Sequence, residues 1–281
     1  MSKSFTKLTA TETFEDSVLI VDGLNLAFRY KHQKATEFAD DYIRTVYSLA
    51  KSYHCGKIIV CADWGSSAYR KAIYPEYKQN RVEQRANQSV EDEEYFEVFI
   101  QEFSRTLDQL RELGITVLRF KGVEADDVAA YLVKKRRAFN FNQIWLISSD
   151  RDWDTLIAHG VSRFSYVTRK EVTVENWMEH YDCSTPEDYI SIKCLMGDTG
   201  DNVPGVAKVG PKTAVKLVEQ YGSALDIAHQ LPLDGKYVYI KNLNAFGSEQ
   251  IIRNYQLMDL LSFCEDAIGS ENIETINKEL G

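Results

Sequence analysis

Four short apolar runs, separated by helical patterns, constrain the fold of this chain most strongly. The runs lie at 17–21, 57–62, 115–120 and 144–148, and the helical patterns lie near 38–53, 94–113 and 125–138. This alternation predicts an α/β fold with a mostly parallel central sheet flanked by helices. Two shorter alternating segments, 161–167 and 171–174, predict further strands at an edge of that sheet.

Acidic residues follow the ends of the predicted strands. In an open parallel sheet, ligands bind in the crevice outside the carboxyl ends of the strands, so these acids should converge in space. Crowded carboxylates repel one another unless a cation neutralises them, and all-oxygen ligation suits Mg²⁺ or Mn²⁺. The sequence therefore predicts a divalent-metal site that contains Asp22, Asp63, Glu124, Asp126, Asp127, Asp150, Asp152, Asp198 and Asp201.

Helix capping is the alternative explanation for an acid after a strand, because Asp is a good N-cap for the helix that follows. For a single such Asp, capping is the better explanation. The acids here come in groups, as in Asp150-Arg-Asp152 and Asp198-Thr-Gly-Asp201. A cap needs one carboxylate, so the groups favour a metal cluster.

Composition bounds the class of protein. The 281 residues are 44% hydrophobic, enough for a full core, and no uncharged apolar run approaches the roughly 18 to 20 residues of a membrane span. The N-terminus lacks the apolar stretch of a signal peptide, so we expect a cytoplasmic protein, in the host cytoplasm if its source is viral. Five cysteines without C-x-x-C spacing and five histidines without H-E-x-x-H indicate neither a disulfide framework nor a zinc site.

The net charge of −9 is at first sight unfavourable for binding nucleic acid, which requires Lys and Arg to neutralise phosphates. Nine of the carboxylates belong to the predicted metal site, so the remainder of the chain is formally neutral. The distribution of charge is then more informative than its total.

Residues 65–93 differ from their surroundings because they are polar and weakly periodic. Between positions 70 and 88 there are five cations and two acids, and aromatic residues lie among them. A segment longer than an ordinary connection suggests a functional loop or lid, and Tyr with Lys and Arg is the combination that binds single-stranded nucleic acid. A solvated mobile loop explains the composition equally well.

From about residue 183 the strand signal disappears and helices follow to the end. Two glycines, Gly205 and Gly210, bracket a short hydrophobic turn, and Pro211 is suited to the first position of a helix. A hairpin that leads into a helix presents backbone N–H groups to an anion, and glycine allows a phosphodiester to approach closely. Lys208, Lys212 and Lys216 lie four apart on one face. This motif, at about 190–220, resembles a helix-hairpin-helix that binds duplex phosphates.

Taken in order, these motifs resemble the structure-specific 5′ nucleases, the family of flap endonucleases and 5′-to-3′ exonucleases, and most resemble the free-standing bacteriophage type. The blocks that carry the resemblance are Val21-Asp22-Gly23, Ala62-Asp63, Pro75 to Arg81, Gly122 to Asp127, Ser149 to Asp154, Met196 to Asn202 and the hairpin from Gly205 to Lys212. They span roughly residues 18 to 260. No polymerase domain follows them in the sequence.

The resemblance implies an architecture. The core at 1–182 would be a PIN-like nuclease domain with a helical arch at about 65–93, through which a 5′ single strand passes. Residues 183–281 would form a helical DNA-binding region that contains the helix-hairpin-helix, with a K⁺ ion held by hairpin carbonyls. We expect a monomer.

The resemblance also implies a reaction, the hydrolysis of DNA phosphodiester bonds with two divalent ions, giving 5′-phosphate and 3′-OH products. Asp22, Asp63, Glu124, Asp126 and Asp127 would hold the first ion and the remaining four acids the second, with Asp127 near both. Lys78 and Arg81 would counter charge on the scissile phosphate. The substrate would be branched or nicked DNA with a free 5′ end, such as a flap, an overhang or an RNA-primed strand. The implied DNA contacts are Arg29, Arg70, Tyr77 (stacked on a base), Arg85, Gly205, Lys208, Gly210, Lys212 and Lys216.

Three other functions use the same features. A PIN-like ribonuclease shares the acidic crevice but usually lacks the arch and the hairpin, and a non-catalytic junction binder would lack some of the acids. A phosphatase that uses Asp22 typically needs another acid two residues on, where this chain has Leu24. The sequence leaves open the balance of exonuclease and flap cleavage, the preference for RNA or DNA, and the physiological ion.

Overall fold

The centre of the molecule is a six-stranded sheet with the order β3-β2-β1-β4-β5-β6. The structure is a computed structural model that describes residues 14–281. The predictions for residues 1–13 lie outside the described residues. The strands are β1 (Phe14–Asp22), β2 (Cys55–Cys61), β3 (Thr116–Leu118), β4 (Gln143–Ile147), β5 (Val161–Phe164) and β6 (Glu171–Val172). All neighbours pair in parallel except β5 and β6, which are antiparallel at one edge. The predicted mostly parallel sheet and its edge strands are confirmed.

Helices cover both faces of the sheet and form most of the chain after residue 177. They are α1 (Gly23–His32), α2 (Ala39–Ser52), α3 (Ala68–Ile73), α4 (Gln79–Ala86), α5 (Val90–Glu112), α6 (Ala125–Lys134), α7 (Trp177–His180), α8 (Pro186–Met196), α9 (Pro211–Tyr221), α10 (Ala224–Gln230), α11 (Val238–Phe246), α12 (Ser248–Met258), α13 (Leu260–Ile268) and α14 (Ser270–Leu280). A short 3-10 helix spans Arg151–Leu156. None of the helices within residues 14–281 is both long enough and apolar enough to cross a bilayer.

Strand β1 lies in the middle of the sheet, between β2 and β4, and both of its faces are buried. Val18 and Ile20 pack into the core that contains α6 and α13, whereas Leu19 and Val21 pack into the core that contains α1, α2 and α5. This alternation is the two-residue period of a strand. It explains why the run is continuously apolar, and it fixes Asp22 at the carboxyl edge of the sheet.

Helix α1 was not predicted, because its sequence follows the first strand without an intervening turn. Asp22 ends β1 and also caps α1, since its Oδ1 accepts a hydrogen bond from the Asn25 N–H at 3.2 Å. The predicted helix at 125–138 ends earlier, at Lys134. The strand predicted at 115–120 shortens to three residues.

Close packing explains why one of the two glycines in the hairpin between α8 and α9 is a glycine. A Cβ on Gly205 would overlap the carbonyl of Met196, and a Cβ on Gly197 (φ +73°) would overlap the backbone at Gly205. The hairpin therefore packs backbone against backbone on the end of α8. A Cβ on Gly210 would meet open space, and Gly210 is the N-cap of α9. The predicted packing of a phosphodiester against Gly205 is corrected, because Met196 occupies that side.

The last helices return to the α/β core. Leu260, Cys264 and Ile268 of α13 pack with Val18 and Ile20 of the central strand in one hydrophobic cluster. Helices α8 to α12 enclose a separate cluster. A division of the chain at 182/183 therefore divides the sequence but not the core, since α13 and α14 complete the domain that begins with β1.

Candidate metal centre

Seven of the nine predicted metal ligands line one cavity of about 300 Å³ at the carboxyl ends of the strands. They come from five points of the topology: the end of β1, the residue two after β2, the first turn of α6, the start of the 3-10 helix after β4, and the turn after α8. The seven are Asp22, Asp63, Asp126, Asp150, Asp152, Asp198 and Asp201. Acids that are far apart in sequence are thus brought together by the sheet.

Hydrogen bonds fix the orientation of three of the cavity acids. Asp22 Oδ2 accepts from the Ser148 hydroxyl at 2.7 Å. Asp63 Oδ1 accepts from the Ala125 N–H at 2.7 Å, and Asp126 Oδ1 accepts from the Trp153 indole N–H at 2.6 Å. At least one oxygen of each carboxylate is held in this way, and both are in Asp22, which preorganises the group before any cation binds.

The charge of these acids is poorly compensated by the protein. Burial raises the pKa of Asp22 well above its ordinary value, and the carboxylates of Asp63 and Asp150 raise it further. Burial likewise raises the pKa of Asp126, with Asp150 and Asp22 adding to the effect. A dication would remove this repulsion, and the all-oxygen donor set is one that hard divalent cations prefer. The residues therefore fit a divalent-metal site.

A second group of acids lies around Lys193. One oxygen from each of Asp152, Asp198 and Asp201 lies within 4.8 Å of the others. The Lys193 ammonium contacts Asp152 and lies 3.3 Å from Asp198 Oδ2. Burial would lower the pKa of Lys193, but these two carboxylates outweigh burial and raise it.

Lys193 was missed by the sequence analysis. It lies in α8 among Ile192, Cys194 and Leu195, which are buried, and its own side chain is largely buried. The available signal was a single cation in an apolar stretch five residues before Asp198. Charged groups are almost never buried alone, so the pattern predicts a nearby acid.

The other two predicted ligands, Glu124 and Asp127, lie outside the cavity lining and bind protein cations. Arg70 is only 3% exposed, and its two terminal nitrogens each lie 2.8 Å from an oxygen of Asp127. It also bonds Glu124 Oε2 at 3.2 Å and the Leu257 carbonyl at 2.9 Å. Two expectations are therefore corrected. The Arg70 donors face protein rather than DNA, and Asp127 pairs with Arg70 rather than lying between two ion sites.

Lys78 and Arg81 reach the cavity from the segment that follows α3. Lys78 Nζ lies 2.8 Å from Glu124 Oε1 and 3.8 Å from Asp201 Oδ2, while Arg81 Nη2 lies 2.7 Å from Asp201 Oδ1. Burial would lower the pKa of Lys78, but Glu124 and Asp201 outweigh burial and raise it, so Lys78 is charged at neutral pH. Tyr77 is 3% exposed, and its hydroxyl donates to Asp201 or Glu124. The prediction that Tyr77 stacks on a base is corrected, because its ring is enclosed.

Residues 65–93 form helices α3 and α4 and the start of α5, and hydrogen bonds to backbone carbonyls join them to the turn after α8. The Lys78 N–H donates to the Asp201 carbonyl at 2.9 Å, and Lys78 has left-handed backbone (φ +57°). The Asn80 amide donates to the Thr199 carbonyl at 2.8 Å, and the Asn202 amide donates to the Glu76 carbonyl at 2.8 Å. The segment therefore lies beside the acids that it helps to position.

The remaining predicted DNA contacts divide by exposure. Arg29 is mostly covered: it pairs with Asp41 at 3.1 Å, and its guanidinium lies over the Tyr30 and Tyr166 rings. Arg85 is exposed on α4, with its guanidinium 5.1 Å from the centre of the Phe96 ring. The three hairpin lysines, Lys208, Lys212 and Lys216, are all exposed.

Comparison with known proteins gives consistent similarities over the whole described chain. Residues 17–182 match the family model of the 5′-3′ exonuclease N-terminal resolvase-like domain, and residues 184–278 match that of the 5′-3′ exonuclease C-terminal SAM fold. The flap endonuclease of Escherichia phage T5 is 42% identical over 99% of this chain and 96% of its own length. Two structures of the T5 protein, one with zinc and one with DNA and metal ions, superpose with TM-scores of 0.89 and 0.88 at 41% identity. Both cover 94% of this chain, and 98% and 97% of the T5 chains.

In metal-free protein, removing the charge of Asp126 should raise thermal stability, whereas removing the charge of its neighbour Asp127 should lower it. Because the pKa of Asp126 is raised in the folded state, that state binds a proton more tightly than the unfolded state. The free energy of unfolding therefore falls as pH rises through the folded-state pKa. Asp126→Asn should remove this loss and raise Tm at pH 7.5 by about 3 °C. Burial raises the pKa of Asp127 too, but the Asp127 carboxylate bonds both terminal nitrogens of buried Arg70, so Asp127→Asn should leave the Arg70 charge without its main partner and cost about 3 kcal/mol.

Thermal unfolding in EDTA from pH 5.5 to 8 measures both variants. The expected result is a flatter pH dependence for Asp126→Asn and a lower Tm for Asp127→Asn at every pH. Equal destabilisation by the two substitutions would contradict the proposed difference between an uncompensated acid and a paired one.

Proposed function

The chain belongs to the 5′-3′ exonuclease family and is a structure-specific 5′ nuclease that acts on DNA, and we propose that it cleaves 5′ flaps and 5′-ended strands with two divalent cations. The observation that carries this proposal is the cavity lined by seven carboxylates. Family membership argues against the ribonuclease, the phosphatase and the non-catalytic junction binder. We propose Mg²⁺ as the ion, with Mn²⁺ as a substitute.

We assign the acids to two groups according to their surroundings. Asp22, Asp63 and Asp126 are the best placed to hold one ion, and the other four cavity acids, Asp150, Asp152, Asp198 and Asp201, hold the second. Bound ions of this kind lower the pKa of a coordinated water and neutralise negative charge at a phosphate. Glu124 and Asp127 act indirectly: Glu124 orients Lys78 in the cavity lining, and Asp127 binds Arg70 behind it.

Lys78 and Arg81 would act on the scissile phosphate. Both side chains line the cavity, and their positive charge is directed at its acids from the side of α4. A fixed cation in a water-poor site stabilises the charge that builds on a phosphoryl group during cleavage. We infer that Lys78 contributes most, since it is the more buried of the two.

The helix-hairpin-helix would hold the duplex beside this cavity. Lys208, Lys212 and Lys216 give an exposed basic face, and Gly210 leaves the start of α9 open to a phosphate. A K⁺ ion at the hairpin carbonyls is part of the proposal. With the duplex held there and the free 5′ end passed beneath residues 65–93, the polarity of cleavage follows from the geometry. We also propose a monomer in the cytoplasm, or in the host cytoplasm if the source is viral.

The direct test is cleavage of a DNA flap carrying a 5′ label. With Mg²⁺ we expect release of the flap near the junction between single strand and duplex, and complete loss of activity in EDTA. Asp22→Asn should serve as the inactive control, because it removes a cavity carboxylate and preserves shape. A panel of flap, nicked, blunt and RNA-primed duplexes would measure the substrate preference. The absence of cleavage with either Mg²⁺ or Mn²⁺ would remove the enzymatic proposal.

Lys78→Ala should lower single-turnover cleavage by about 100-fold and leave duplex affinity nearly unchanged, because it removes a cation that faces the reacting phosphate. Lys71→Ala is a matched control, since Lys71 is exposed on neighbouring α3. Quenched-flow cleavage and fluorescence anisotropy give the two quantities. An equal loss of rate and affinity would assign Lys78 to binding instead.

Lys212→Ala should weaken binding to duplexes of any sequence and reduce the slope of log affinity against log salt by about 1, the contribution of one phosphate contact. The control is Lys278→Ala, an exposed lysine on α14. Binding is measured by anisotropy over a salt series. An unchanged slope for Lys212→Ala would remove the hairpin from the duplex-binding surface.

A further inference from the structure

One tryptophan differs from the rest of the aromatic residues near the cavity because it is exposed. Trp64 directly follows Asp63 and is 50% exposed. The other three tryptophans are enclosed: Trp153 and Trp177 are buried, and Trp145 stacks on Tyr53 with 4.0 Å between ring centres. A large aromatic ring exposed beside an acid of the site is not explained by the hydrophobic core.

The backbone of Trp64 is held on both sides. Its N–H donates to the Val123 carbonyl at 3.5 Å, and its carbonyl accepts from the Gly122 N–H at 2.8 Å. The loop is therefore joined to the segment that leads into α6. The backbone of Trp64 and the side chain of Asp63 are thus held by the same segment, which joins β3 to α6.

The ring of Trp64 has one covered face. The Arg119 guanidinium carbon lies 5.5 Å from the ring centre, in cation-π contact. Arg119 is itself held, because its Nε donates to the Asp63 carbonyl at 3.2 Å and its Nη1 donates to the Ser104 hydroxyl at 3.4 Å. With one face against a fixed cation and half of the side chain exposed, the ring offers its other side to solvent. Lys121, two residues beyond Arg119, is also exposed.

The order of the strands locates Trp64 relative to the duplex-binding hairpin. Asp63 follows β2 and Asp152 follows β4, and these strands lie on opposite sides of β1. Helix α8, which leads into the hairpin, reaches the Asp152 side through Lys193. Trp64 therefore follows the strand on one side of β1, whereas helix α8 and the hairpin adjoin the acids that follow the strand on the other side.

We propose that Trp64 is a stacking platform for an unpaired base of the 5′ single strand, with Arg119 and Lys121 facing the adjacent phosphates. An aromatic ring flanked by cations is how proteins bind single strands without sequence preference. The proposal rests on the proposed function and extends it, because it assigns to this chain a site for the displaced strand outside the metal cavity. Its occupant is single-stranded DNA.

The test compares two DNAs that share a duplex and differ in the flap. One carries a 5′ flap with the fluorescent base 2-aminopurine at successive flap positions, and the other is the nicked duplex without a flap. Binding is measured in EDTA, which prevents cleavage. Wild-type protein should quench 2-aminopurine at one or two flap positions, and the flap should quench the fluorescence of Trp64.

Trp64→Ala should abolish the position-specific quenching of 2-aminopurine and weaken flap binding about 10-fold, while affinity for the nicked duplex stays within about 2-fold. Trp64→Phe should retain most of the flap affinity because it keeps an aromatic face. The control is Tyr47→Ala, another exposed aromatic, on the α2 helix that leads to the amino end of β2 at the opposite edge of the sheet.

The alternatives give different results. Unchanged flap affinity in Trp64→Ala, or equal losses on both DNAs, would overturn the stacking site. A wild-type protein that binds and cuts flaps but shows no position-specific quenching would also overturn it while leaving the proposed function intact. If the wild-type protein neither binds nor cuts flaps, the proposed function fails, and the stacking site fails with it.

Discussion

Repulsion among carboxylates at one edge of the sheet is the constraint on which the rest of this structure depends. The parallel strands bring Asp22, Asp126 and Asp150 together, and burial together with neighbouring carboxylates raises the pKa of each. A fold does not accumulate crowded, uncompensated acids unless something else offsets their charge. The arrangement therefore costs stability in the protein alone and implies a cation in the working state.

The protein supplies part of the compensation itself, and the way it does so separates the acids. Arg70 pairs with Asp127, and Lys78 pairs with Glu124. The pKa of Glu124 is lowered because Lys78 and Arg70 together outweigh the effect of burial. Lys193 does the same for Asp198. Acids with a fixed protein cation are thus distinguished from the uncompensated acids at the centre of the cavity. Sequence spacing cannot make this distinction, because Asp126 and Asp127 are neighbours in the chain.

The fold and the convergence of the acids could be predicted because both follow from the period of the apolar runs and the end of each strand. The burial of Arg70 and Tyr77 could not, because their partners include Leu257, which is 187 positions from Arg70, and Asp201, which is 124 positions from Tyr77. Their sequence context, polar and cationic, is that of an exposed loop. Gly205 was assigned to a phosphate for the same reason, since its contact with Met196 depends on how the hairpin folds back.

Asp201 connects the two halves of the site. Its side chain bonds Tyr77 and Arg81, and its backbone carbonyl accepts from the Lys78 N–H. All three partners belong to the segment over the cavity, whereas Asp201 belongs to the turn that begins the hairpin. The charge of the cavity, the position of residues 65–93 and the start of the hairpin are therefore linked at Asp201. Any change in what Asp201 binds must alter the contacts that hold the segment beside the acids.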